Sequence, residues 1–151
     1  MSKPQPIAVQ DLLRFIPHRP PMVWVDKVLD WSRNHGEVLI EVKGDALYMS
    51  PEGLRPSSLL EFIAQAYGFC WICYTIYVLD PGSNGMAQAM VAGFKEAQFA
   101  PPSAMRKVRP GDTLRVKLSD MRRKGPITFL RGQVWHGEVL LADSEMRTFS
   151  Q

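Results

Sequence analysis

Residues 57–79 read SSLLEFIAQAYGFCWICYTIYVL, and after Glu61 no charged residue appears until Asp80. A helix apolar on all sides belongs inside a protein core or a membrane. The eighteen uncharged residues 62–79 sit at the threshold length for a bilayer span. Gln65, Gly68 and Thr75 dilute the run, however, and no Lys or Arg directly flanks it. Burial in a protein core is therefore expected, and whatever covers the helix decides the fold.

The flanking sequence supplies a cover. MVWVDKVLDW (22–31) is rich in β-branched and aromatic residues and reads as a strand. Asn34 to Gly36 offer turn residues, and EVLIEVKG (37–44) alternates apolar with polar as its hairpin partner. After the break at DPGSNG (80–85), four more strands read at 90–99, 113–122, 126–135 and 138–149. A short helix is expected from Val9 to Phe15, stopped by Ile16-Pro17, because a residue before proline avoids the α region. Sheets that alternate inside and outside must bury one face, and the long helix is the element large enough to cover it. The layout predicts an α+β fold with about six antiparallel strands around one central helix. Residues 1–8 form a loose tail, and 9–151 form one domain.

Composition narrows the partners. At 46% hydrophobic and 22% charged residues the chain can build a core without disulfides. Eighteen basic residues against fifteen acidic ones are too even for a nucleic-acid binder. The basic residues do cluster, at Arg106, Lys107 and Arg109 and again at Arg122, Arg123 and Lys124. They read either as solvated turn charge or as a landing patch for an acidic partner. MSKPQPIAVQ holds no long apolar run, so no signal peptide is expected and the cytoplasm is the default.

The lone acid has two readings. Ser58-x-x-Glu61 matches a capping box, in which Ser58 caps the helix and Glu61 reaches back to its first N–H. Alternatively, an acid beside Leu59, Leu60, Phe62 and Ile63 is partly desolvated, and desolvation favours the protonated form that a general acid needs.

LLRFIPHRPPMVWVDKVLDW followed by LLEFIAQAYG resembles the β-hydroxyacyl-acyl carrier protein dehydratases of the hot-dog fold. The shared pieces are the Pro-His-Arg turn, the strand ending in Val-Asp-x-Val-Leu-Asp and the Glu-x-x-Ala-Gln opening the central helix. VAGFKEAQFAPP and VRPGDTLRVKL are similar to later strands of that family. The resemblance implies a dimer with two active sites at the subunit interface and a carrier-protein thioester as substrate. In each site a histidine of one subunit takes the proton α to the thioester. A carboxyl on the other subunit's central helix protonates the departing hydroxyl, and backbone N–H groups at a helix start polarise the thioester carbonyl. Carried over, Glu61 matches the helix acid and Gln65 the glutamine one turn on. Ser58, Phe62, Gln65 and Phe94 are expected to contact substrate, and the two basic turns to dock the acidic carrier. No cofactor, metal or membrane span is implied.

One departure matters. The family's histidine belongs near Leu47 and Tyr48, but DALYMSPEGLRPSS contains none. His18 of the Pro-His-Arg turn is one replacement. A second hot-dog subunit could instead supply the histidine, an arrangement that resembles the aryl polyene pathways. Otherwise the chain is a non-catalytic acyl-binding partner. A hot-dog thioesterase, whose helix acid activates water, remains the competing enzyme.

The remaining candidates are weaker. Cys70-Trp-Ile-Cys73 has redox spacing but lies well past the helix start among aromatic residues, so two buried thiols are expected. His35 and His136 sit in turns next to glycines and are assigned nothing. Met86, Met90, Phe94 and Phe99 are either core or acyl-tunnel lining.

Overall fold

A computed structural model describes residues 6–16, 19–81 and 89–150. The alternating stretches become strands. They are β1 (Ile7–Ala8), β2 (Lys27–Trp31), β3 (Gly36–Glu41), β4 (Met49–Ser50), β5 (Gly53–Leu54), β6 (Ala89–Phe99), β7 (Thr113–Lys124), β8 (Ile127–His136) and β9 (Val139–Ser150). Seven of them form one antiparallel sheet in the order β1-β2-β3-β7-β8-β9-β6, while β4 and β5 make a separate small hairpin. The long apolar segment is α1 (Ser58–Tyr74), continued by a π-helical turn over Thr75–Leu79.

Alternation places Val38 and Ile40, Leu114, Val116 and Leu118, and Leu130 and Val134 on the concave face against α1. The helix returns Leu59, Phe62, Ile63, Ala66, Phe69, Cys70 and Cys73, all buried. It has the length and hydropathy of a bilayer span, yet more than half of its most apolar window lies inside the protein. Both thiols are core, as expected. Two glycines set how closely helix and sheet approach. A Cβ on Gly132 would enter the Ile63 side chain, and one on Gly36 would lie 2.6 Å from the Cys70 Sγ. The sheet curls around the rod through bulges in β6 and β7, where Glu96 and Asp120 take φ of 56° and 53°.

Several local expectations change. Ile7 and Ala8 are not tail: they pair with β2, and Ile7 is buried. The Val9–Phe15 helix forms, as a 3-10 helix. The first long strand starts only at Lys27, because Met22 to Trp24 serve α1 instead, as described below. A second short helix, α2 (Pro102–Arg106), was invisible behind its prolines.

Candidate active site

The chain enters α1 through β5 and a tight turn. The Ser58 hydroxyl donates to the Arg55 carbonyl at 2.5 Å, and the Ser58 and Leu59 N–H groups donate to Arg55 and Pro56 carbonyls at 3.0 and 3.1 Å. Among the described residues no side chain caps the helix. The capping box therefore does not form: Ser58 is buried and turned backwards, and Glu61 points along the helix to Gln65. Ser58 is equally unsuited to touching substrate. The two first N–H groups are spent in the turn, so a thioester carbonyl would have to find its donors elsewhere.

Glu61 lies on the half-exposed stripe of α1 that Leu60, Ala64, Gly68 and Trp71 continue. Its Oε1 accepts from the Gln65 Nε2 at 3.1 Å. The same amide nitrogen donates to the Met22 carbonyl at 2.8 Å, and the Gln65 Oε1 accepts the Trp24 N–H at 2.9 Å. Both amide hydrogens are thus committed, and Gln65 is only 6% exposed. Gln65 is no free substrate contact; it fastens Glu61 to the segment leading into β2. Spacing alone could not show this, because Met22 and Trp24 lie about forty residues away in the chain.

Phe62 is also corrected. It is fully buried, edge-on to Trp24 at 5.6 Å and to Tyr48 at 5.2 Å, on the face of α1 turned from solvent. Phe94 is half-buried on β6 and packs against the core periphery. Met90, at 66% exposed, and Phe99 face outward from the same strand. Met86 and His18 lie outside the described residues.

The position of the absent histidine is now visible. Leu47 is 52% exposed, but Tyr48 is core. Its hydroxyl accepts the Lys43 N–H and donates to the Glu41 carbonyl, and burial raises its pKa. A phenol held protonated there cannot act as a base. His35 bonds Asp30 and Ser32 at 2.7 and 2.6 Å, and His136 bonds Asp112 at 2.9 Å. Each of the two is thus paired with an aspartate on the sheet or its turns.

Sequence relatives bear on this arrangement. A family described as ApeP-like: ApeP dehydratase matches residues 10–151. The chain belongs to the ApeP-like dehydratase family. It is 34% identical to the 3-hydroxyacyl-acyl-carrier-protein dehydratase FabZ of Deinococcus radiodurans, over 92% of this chain and 91% of the relative. The corresponding FabZ of Alkalilimnicola ehrlichii is 28% identical over 92% of this chain and 88% of its own. Among solved structures, a chain of the dehydratase heterocomplex ApeI:P from Xenorhabdus doucetiae superposes with a TM-score of 0.74 at 19% identity. That superposition covers 93% of this chain and 90% of the other. The fold is the hot-dog fold.

In this ApeP-like dehydratase the two basic turns are far apart. Arg106, Lys107 and Arg109 precede β7, whereas Arg122, Arg123 and Lys124 end it, roughly 35 Å away at strand rise. The first cluster abuts the entrance to α1. Gly53, at φ 103°, leads through β5 toward the helix, and a Cβ on it would stand 2.7 Å from the Arg106 Cα. A pocket of about 400 Å³ joins Ser50, Glu52 and Gly53 to Arg106 and Arg109. Asp112 holds this turn in shape. It accepts the Arg109 N–H at 2.9 Å, and that bond, followed by His136, keeps its carboxyl below the ordinary value. The second cluster belongs to the other end of α1, where the Arg123 guanidinium lies over the Trp71 ring. The two turns thus lie at opposite ends of α1.

Proposed function

We propose that this chain supplies the acid half of a 3-hydroxyacyl thioester dehydratase site, completed across a seam by a second hot-dog subunit that brings the histidine. The observation carrying this reading is Glu61 on the half-exposed stripe of α1, fixed by Gln65 and with no base among the described residues beside it. Elimination then runs as follows. The partner's base takes the proton at Cα, and that C–H electron pair becomes the Cα=Cβ bond. The Cβ–O bond breaks with its electrons on oxygen, which takes the Glu61 proton and leaves as water. The proton on the base returns to the carboxylate, so the site is restored without an oxidant or reductant. A positioned acid contributes on the order of hundreds-fold or more to such a step.

The edge strand β6 supports a paired state. Among the described residues its outer side has no strand neighbour in the sheet, and Met90, Val91 and Phe99 are exposed along it. The heterocomplex in Xenorhabdus doucetiae, a chain of the same fold, supports a partner of unlike sequence. Arg106, Lys107 and Arg109, beside the entrance to α1, are the docking turn for an acidic carrier protein in the cytoplasm. His18 is the second reading, because it lies four residues before Met22 in the sequence, and Gln65 holds Met22.

Co-expression with a neighbouring hot-dog subunit, followed by turnover of a 3-hydroxyacyl carrier thioester, tests the proposal. The expected result is enoyl thioester from the copurified pair and none from this chain alone. Glu61→Gln should abolish turnover while the pair still assembles. Activity of this chain alone that vanishes in His18→Asn establishes the second reading instead. Undiminished dehydration in Glu61→Gln overturns both, and free acid as product identifies hydrolysis.

A further inference from the structure

His136 ends β8 and reaches the turn that opens β7, 24 residues earlier in the chain. That turn is built on two anchors. Met105 and Val108 are each 2% exposed, so Arg106, Lys107 and Arg109 stand outward beside them. Its corner is Pro110-Gly111. The Asp112 N–H donates to the Arg109 carbonyl at 3.0 Å, and Gly111 takes a φ of 92°, as the third residue of a type II turn requires. One flank is tied to the chain leaving β3. The Gly111 N–H donates to the Val42 carbonyl at 2.9 Å, and the Val42 N–H donates to the Asp112 carbonyl at 2.8 Å.

The other flank rests on side chains. β7 lies between β3 and β8 in the sheet, and from β8 the His136 Nε2 meets the Asp112 Oδ2 at 2.9 Å. The same oxygen accepts the Arg109 N–H at 2.9 Å, which closes the turn on one of its cations. That N–H, and after it His136, holds the Asp112 carboxyl below its ordinary value, so at neutral pH it is ionised and can only accept. The imidazole nitrogen is therefore the donor, and a neutral ring suffices for the bond. The His136 and Asp112 side chains are 24% and 36% exposed, which partly shields the bond from competing water. Without it Arg109 would range over several positions, and the entropy of ordering the turn would oppose a partner's binding. A turn already held in shape avoids that cost.

We propose that His136 is a positioning residue for carrier docking: through Asp112 it holds Arg106, Lys107 and Arg109 in the shape that meets an acidic carrier protein. The inference rests on the docking reading above. Titration of the full chain with a holo acyl carrier protein tests it, and reads docking whether or not the assembled pair dehydrates. Arg106→Ala should weaken carrier binding, which checks the docking surface itself. His136→Phe should weaken it about fivefold, the weight of one partly shielded hydrogen bond. His136→Gln, whose amide offers a donor in place of Nε2, should restore it. In turnover of the carrier thioester by the pair, His136→Phe should raise KM and leave kcat unaltered, whereas general loss of structure would lower kcat as well. Asp112→Ala should weaken binding too, and adding His136→Phe to it should cost nothing further, because the histidine acts through that carboxylate. If Arg106→Ala binds the carrier as the parent does, the docking reading falls and this inference with it. If Arg106→Ala weakens binding and His136→Phe does not, the inference alone is overturned. It is overturned equally if His136→Gln fails to restore binding, or if the losses of His136→Phe and Asp112→Ala add in full.

Discussion

Gln65 spends both amide hydrogens and one lone pair of its oxygen on three partners, two of them backbone groups about forty residues away. A side chain so occupied acts on chemistry only through the group it holds. Gln65→Leu should therefore leave the Met22 carbonyl and Trp24 N–H without their partner, costing about 1–3 kcal/mol in urea unfolding. In the assembled dehydratase the same variant should lower kcat with little change in KM, because Glu61 loses its orientation while thioester binding is untouched. A proportionate rise in KM instead would make Gln65 a substrate contact after all. The pairing of Glu61 with Gln65 was legible in the sequence as a one-turn spacing. The choice between capping and display was not, since both satisfy the same local pattern. The turn decided it, because the Ser58 hydroxyl bonds Arg55 behind it rather than the helix ahead.

At the scale of elements, helix and sheet meet where a strand gives up its side chain. Gly132 on β8 lies under Ile63, and its own torsion needs no glycine, so space alone dictates the residue there. Gly132→Ala should overpack this contact and cost about 1–3 kcal/mol, read from the urea midpoint at unchanged slope. Combined with Ile63→Ala, which removes the atoms in the way, the two costs should sum to less than their separate values. Strict additivity would show that the alanine methyl finds room elsewhere. The four strands after the helix were readable from alternation to within one or two residues, whereas β3 stops at Glu41, three residues short of its expected end. Met22 to Trp24 have the composition of a strand, but tertiary bonds to Gln65 give them a different task. Likewise α2 hid behind Pro101 and Pro102, which permit a helix start as readily as a loop.

For the whole molecule, the open edge of β6 and the half-exposed stripe of α1 are surfaces that a partner would complete. Val91 is 45% exposed on that edge. Val91→Lys should shift the complex toward single chains in sedimentation, while circular dichroism of the separated chain stays unchanged, because a lysine on an edge strand opposes edge-to-edge pairing. An unaltered complex would place the seam elsewhere. The sequence by itself determined that a charge-free rod must be wrapped by antiparallel strands, since periodicity and apolar length are local properties and burial follows from them. It also drew attention to Glu61, because one charge in an apolar run is conspicuous, while the reading of that carboxyl as a general acid came from the family resemblance. Tertiary structure alone decided which way that acid faces, that Gln65 and not Ser58 holds it, and that Phe62 is core. It alone set the two basic turns at opposite ends of the helix. Each of these depends on groups distant in sequence meeting in space, and spacing along a chain carries no record of such meetings.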